Sequence, residues 1–283
     1  MIPFAYLVAA AASILYGSAD YGGAMAARRA HAAAVTAFSG LGAIVVLLLG
    51  LLVTRGTPVP HDWAWAAATG VVGAAGATLI YYALALGPLS LASPVLCITA
   101  LALPVIVGVA LGERPGALAW IGVALAALAI PLLSQTGSHA EAPSRSHVRR
   151  TLFFSLLGGL ASGGFLVYLS RIGPHAGLAP LVLTRGVSIV ILAAITRIVR
   201  VPLLPPPSAR GLAFATGMLD SAANVAFWFA VQGGRLALVS AIVSLAPATT
   251  VLLARLLLCE RWTPAQAWGM GVALTAGVCI SLG

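Results

Sequence analysis

Four ionisable side chains interrupt otherwise apolar runs in this 283-residue sequence: Asp20, Arg185, Asp220 and Arg255. A charge at the centre of a bilayer costs about 2.5–3.5 kcal/mol on insertion scales, so each needs a use. A carboxylate there can take a cation or a proton, and a guanidinium can take a carboxylate or a phosphate. Asp220 lies near the middle of its run, with Ser221 adjacent, Asn224 one helical turn further on the same face and Trp228 a turn beyond that. Arg185 is also central, flanked by Thr184 and Ser188. Such a pair can bind the carboxylate and the amine of one solute, or couple its movement to a proton. The plainer alternative is that Arg185 and Asp220 neutralise each other and hold two helices in register. Asp20 falls in the last third of the first run, with Tyr16, Gly17 and Ser13 one and two turns back. It faces the same pathway, or else it reaches for the headgroups or Arg28. Arg255 stands near the end of its run, close to Glu260, and reads as interfacial.

Neutral groups extend the pattern. Ser93 and Cys97 are spaced i, i+4, as are Ser240 and Ser244, a spacing that lets helices approach and hydrogen-bond. Pro104 and Pro247 follow them and are expected to interrupt both helices, freeing carbonyls toward a cavity. The aromatic pairs Tyr81/Tyr82 and Trp228/Phe229 can stack on a solute or pack in the core. The expected substrate-binding set is Asp20, Tyr81, Ser93, Arg185, Asp220, Asn224, Trp228 and Ser240. No catalytic residue is expected. The five histidines fall in loops or at helix ends without HxxxH or HExxH spacing, and the three cysteines form no CxxC, so no metal site is expected. No phosphate-cradling glycine loop stands in a strand–turn–helix context, so neither cofactor nor nucleotide is expected, and an ion or proton gradient must supply energy.

These side chains need elements that hold them in lipid. The sequence is 61% hydrophobic and 7% charged, against about 25% charged in soluble domains, which excludes a soluble enzyme, a disordered chain and a disulfide-stapled secreted domain. Apolar runs of spanning length fall at about 4–26, 31–53, 63–86, 89–111, 116–134, 151–171, 177–199, 208–231, 236–258 and 264–282. They are too long and continuous for barrel strands, so an all-α membrane protein of ten transmembrane helices is expected. The N-terminal MIPFAYLVAAAAS lacks a basic n-region and reads as the start of an uncleaved first span. All fifteen basic residues are arginines, scattered singly or in pairs without a basic stripe, so the partners expected are the lipid bilayer and a small solute, not nucleic acid. Oligomeric state is not legible.

The polar stretch QTGSHAEAPSRSHVRR divides the chain into residues 1–134, a linker at 135–150, and residues 151–283. The halves read alike. At an offset of 147, Thr69-Gly70 meets Thr216-Gly217, Tyr81-Tyr82 meets Trp228-Phe229, Ser93 meets Ser240, Glu113-Arg114 meets Glu260-Arg261 and Gly122 meets Gly269. At 146, Gly17 meets Gly163 and Gly40 meets Gly186. Five spans per half would insert the second copy upside down, giving two inverted five-helix repeats with a site between them near the midplane.

The sequence resembles the ten-helix EamA-type members of the drug/metabolite transporter superfamily over nearly its whole length. The marks are the opening LYGSADYGGAMAARR, LGERPGALAWIGVALAALAI in the first half, LCERWTPAQAWGMGVALTAGVCI in the second, and the Glu-Arg dipeptide closing the fourth helix of each repeat. Tyr16 stands where the family usually has tryptophan, and Cys259 where it usually has glycine. The resemblance implies secondary transport of a small metabolite, amino acid or drug across the cell inner membrane by alternating access, with export the expected direction. The small four-helix relatives carry their essential acid in the first helix, which draws attention to Asp20. A channel or non-transporting scaffold, or an intramembrane enzyme on a lipid-linked substrate, are the alternatives. The two Glu-Arg dipeptides read as edge residues that orient the following turn, or as a gate.

Two arguments on orientation conflict. Nine loop arginines (28, 29, 145, 149, 150, 197, 200, 210, 261) fall on one side and four (55, 114, 171, 235) on the other, which places both termini outside the cytoplasm. The resemblance implies cytoplasmic termini.

Overall fold

The computed structural model describes residues 2–86, 89–133, 145–200, 202–258 and 263–282, and all regular structure among them is helical. The helices are α1 (Ile2–Ala27), α2 (Ala32–Val53), α3 (Pro60–Leu86), α4 (Leu89–Ala110), α5 (Ala117–Leu133), α6 (Arg145–Leu169), α7 (Ala179–Ile198), α8 (Pro207–Gly233), α9 (Leu236–Val243), α10 (Ala246–Leu258) and α11 (Pro264–Leu282). Among the described residues six segments are long and apolar enough to cross a membrane: Ala33–Val53, Pro60–Ile80, Val148–Leu169, Ala179–Ile198, Pro207–Gly233 and Leu236–Ala254. Val95–Ala110, Ala117–Leu133 and Pro264–Ile280 are shorter apolar helices.

One detail follows the sequence reading and two differ from it. The ninth run is broken. α9 ends at Val243 and α10 begins at Ala246, because Pro247 has no N–H with which to continue the ladder. The chain crosses the break on the tighter bonds Leu245 N to Ile242 O (3.1 Å) and Ala248 N to Leu245 O (2.9 Å). Pro104, expected to do the same, leaves α4 continuous. And α6 starts at Arg145, so the last six residues assigned to the linker are helical; RSHVRR contains neither glycine nor proline to stop them.

Packing is built on small residues. α1 lies on α8, α3 on α6, α2 on α8, α3 on α7, α4 on α6, α1 on α9 and α10, and α5 on α11. The close approaches fall at glycines. A Cβ on Gly17 would sit 2.3 Å from Ala246 O and 2.6 Å from Thr249 Cβ; one on Gly163 would sit 2.9 Å from Ala100 O and 3.0 Å from Leu103 Cβ. Each partner in the second contact is its counterpart in the first less 146. Likewise Gly122 meets Ile280, and Gly269 meets Leu133, which reproduces the first contact at an offset of 147. Gly122 is near the start of α5 and Ile280 near the end of α11, so those helices run antiparallel. α1 and α8 are antiparallel too, since Ala5 meets Gly234 at one end and Gly22 meets Thr216 at the other. Ala276, Ile280, Leu238, Phe227 and Trp228 are among the buried core that these crossings enclose.

Two carboxylates tie together the ends of these helices on one face. Asp62, 1% exposed, accepts from Val59 N (2.9 Å) at the start of α3 and from Gly173 N (2.9 Å) between α6 and α7. The His175 ring lies 3.2 Å from the same carboxylate, and Thr57 N donates to His175 O at 2.8 Å. Glu113, after α4, accepts from Leu236 N (2.6 Å) and Ala237 N (2.9 Å) at the start of α9. The opposite face carries the α1–α2 turn, where His31 Nδ1 accepts from Ala33 N, and the α7–α8 connection, to which Arg29 Nη1 reaches at Ser208 O (3.2 Å).

Candidate functional site

The polar residues of three helices converge halfway along the bundle. α7 contributes Arg185, whose neighbours are fixed by hydroxyl bonds to α3: Thr184 Oγ1 donates to Ala66 O (2.9 Å) and Ser188 Oγ to Gly70 O (2.8 Å). That clamp sets the rotation of α7 and aims the guanidinium at α8. There Arg185 Nη2 pairs with Asp220 Oδ2. Asn224, one turn along α8, donates from Nδ2 to Asp220 O (2.7 Å) and to Asp220 Oδ2 (3.3 Å). Its Oδ1 in turn accepts the Tyr16 hydroxyl of α1 at 2.8 Å. The chain Tyr16–Asn224–Asp220–Arg185 therefore crosses α1, α8 and α7.

The ion pair is not sealed. The side chain of Arg185 keeps 21% of its accessible surface and that of Asp220 35%, so both are partly exposed. Asp20, one turn beyond Tyr16 on α1, is exposed and lies within electrostatic reach of Asp220. Tyr16 itself feels Asp20, Asp220 and Arg185. Among the described residues Asp20 has no hydrogen-bond or ion-pair partner. Two carboxylates and one guanidinium thus lie within electrostatic reach of one another.

Of the eight expected residues, Asp20, Arg185, Asp220 and Asn224 are brought together. Trp228 is not with them. It is 2% exposed, and its indole N–H donates to Ile172 O (3.1 Å), a carbonyl that Gln232 Nε2 also reaches (2.9 Å). Ser240 is fully buried in α9, and its hydroxyl has no partner among the described residues. Tyr81 and Ser93 belong to α3 and α4, but their side chains lie outside the described residues, as do those of Arg255, Glu260 and Arg261. Tyr16 was not among the expected residues. Its signal was available in its i, i+4 spacing to Asp20 and its departure from tryptophan. Among the described residues no group of three or more His, Cys, Asp or Glu is placed to hold a metal ion. A separate hollow of about 210 Å³ between α4 and α5 is lined by Ile98, Leu101, Val105 and Val123 among others, and offers a polar solute nothing to bind.

A helical bundle with six segments long and apolar enough to cross a membrane is that of a multi-pass membrane protein. The EamA-like transporter family model matches residues 3–135, a little under half of the chain. A protein known from a crystal structure superposes with a TM-score of 0.78 over 98% of this chain and 96% of that one. At 19% identity this likeness speaks for the fold alone. No curated protein matches the chain.

Proposed function

We propose that the protein is a secondary transporter that exports a small polar metabolite, amino acid or drug across the cytoplasmic membrane by alternating access. Ten spans form it: α1 to α8, α9 with α10, and α11. Two inverted five-helix repeats rock about the site between them. Support for the repeat comes from the paired contacts that recur at offsets of 146 and 147, and from the antiparallel course of α1 against α8 and of α5 against α11. Energy comes from an ion or proton gradient, with no cofactor and no chemical step.

The observation that carries this reading is the accessible Arg185–Asp220 pair inside its hydrogen-bonded chain. A pair that served only to cancel charge would be stabilised by exclusion from water, since low dielectric strengthens it. This one keeps a fifth to a third of its side-chain surface accessible. A solute with a carboxylate and an ammonium group can exchange partners with it, the carboxylate taking Arg185 and the ammonium taking Asp220 or Asp20. The site then stays electrically balanced while the solute replaces the internal pair.

The test compares metabolites in cells and medium between strains overexpressing the wild type, Asp220→Asn and Arg185→Ala. The expected result is one or a few polar solutes enriched outside only with the wild type, with all three proteins inserted in the membrane at equal amounts. Identical profiles in all three strains would remove the site assignment.

A further inference from the structure

We propose that Glu113 is a gating residue: its carboxylate latches α9 and closes one face of the transport pathway, and the latch must open for that face to open. The proposal rests on the transport reading above. Glu113 belongs to the Glu-Arg dipeptide that the central site leaves unused.

The geometry is that of a built clasp. One carboxylate oxygen accepts from Leu236 N (2.6 Å) and the other from Ala237 N (2.9 Å). These N–H groups open α9 and have no partner within that helix, and the positive end of its dipole favours an anion. The bond joins residues far apart in the chain, from the end of the fourth span to the start of the ninth. Gly108 leaves room for it. A Cβ there would sit 2.5 Å from Glu113 Oε2 and 3.0 Å from Ala237 N. Glu113 N also donates to Gly108 O (3.0 Å), which fixes the turn that presents the carboxylate.

What the clasp holds is a lever. α9 has eight residues, all buried, and is joined to α10 through a two-residue turn before Pro247, where the regular helical ladder is interrupted. A short helix hinged at one end and latched at the other can swing as a unit. When latched, it plugs the space between α1 and α4, against which it packs. The Asp62 contacts hold a different pair of loops on the same face, so releasing Glu113 frees α9 without unfastening α3 from the α6–α7 turn.

The test measures thiol labelling of purified protein in nanodiscs, with Cys97, Cys259 and Cys279 replaced by serine. One reporter is Ala241→Cys, fully buried on α9; the other is Ala24→Cys, exposed near the far end of α1. Losing hydrogen bonds to a charged group shifts an open–closed equilibrium about tenfold or more. Glu113→Gln is therefore expected to speed maleimide labelling at Ala241→Cys about tenfold and to slow it at Ala24→Cys. Unchanged rates at both positions would overturn the gate, and so would acceleration at both, which marks general loosening. Should the glutamine variant fail to fold, Glu113→Asp, one methylene too short to hold both amides, carries the same comparison with the same outcomes. Labelling needs no solute, so a failed gate is distinct from a failed transport assignment, which the Asp220→Asn metabolite profile decides.

Discussion

At the scale of single residues, the site is a chain of donors and acceptors in which each member orients the next. Asn224 spends its amide N–H groups on Asp220 and leaves its oxygen to Tyr16. Tyr16 thereby fixes which way the Asn224 amide points, and so which donors reach Asp220. Removing that hydroxyl costs about 1 kcal/mol, a net hydrogen bond, without touching the ion pair. Tyr16→Phe is expected to raise the half-saturating solute concentration about fivefold with little change in maximal flux. Tyr16→Trp, which restores one N–H donor, should recover part of that loss. Concentration-dependent uptake into everted vesicles, with the solute found by the metabolite comparison, reads both; a phenylalanine variant with wild-type half-saturation would show that the bond does not order the site. The same residues show what the sequence could reveal. Arg185 and Asp220 stood out because charge is rare in the runs, and rarity needs no structure to be seen. The stripe logic that found Asn224 failed at Trp228. By that turn α8 has reached the α6–α7 connection, where the indole meets a loop carbonyl and not a solute. Which residues a helix face meets changes along its length, and periodicity alone does not say where.

At the scale of elements, apolar length set the helices and small residues set how near they come. Run boundaries were legible because lipid leaves the backbone no alternative partner, so every apolar stretch of sufficient length must be helix. The break between α9 and α10 was legible from Pro247, yet Pro104 at the corresponding place leaves α4 whole; proline removes one bond, and packing decides whether the helix bends or parts. The partner of Glu113 was not legible at all, because the first half's dipeptide acts on the second half's helix and no local pattern records that. Glycine contacts give the sharpest prediction at this scale. Gly17 faces the Ala246 carbonyl, which cannot rotate away as a side chain can, at a distance no real Cβ tolerates. Gly17→Ala must then push α1 off α10 and strain Thr250 Oγ1, which donates to Gly17 O at 2.9 Å. Overpacking of this kind costs about 1–3 kcal/mol or more. A Cβ on Gly277 meets nothing within 4 Å. Thermal unfolding of the purified proteins should show a clear drop for Gly17→Ala and none for Gly277→Ala; equal midpoints would mean that the α1–α10 contact is not as close as described.

At the scale of the whole molecule, the two faces of the bundle are chemically different. One gathers the start of α1, the two carboxylate clasps and the turns they fasten; the other gathers the α1–α2 turn, the α7–α8 connection and most of the loop arginines. The contacts fix this division without reference to any membrane. Ala5 meets Gly234 just past the end of α8, and Glu113 meets the start of α9, so the beginning of α1, the end of α8 and the α4–α5 turn share a face. The ten proposed spans would return the end of α11 to the face from which α1 set out, because an even number of crossings restores the side. A reporter fused to the N-terminus and one fused to the C-terminus should accordingly read the same compartment. A reporter inserted at Pro205, in the α7–α8 connection, should read the other. Paired alkaline phosphatase and fluorescent fusions at the three positions make the measurement. Opposite readings at the two termini would require an odd number of crossings. With one span removed, the second half could not be an upside-down copy of the first, and a mechanism in which two inverted halves exchange roles would lose its basis. Agreement of the termini, with the Pro205 reporter reading the other compartment, leaves the arginine-rich face as the side nearer to Asp20 along α1.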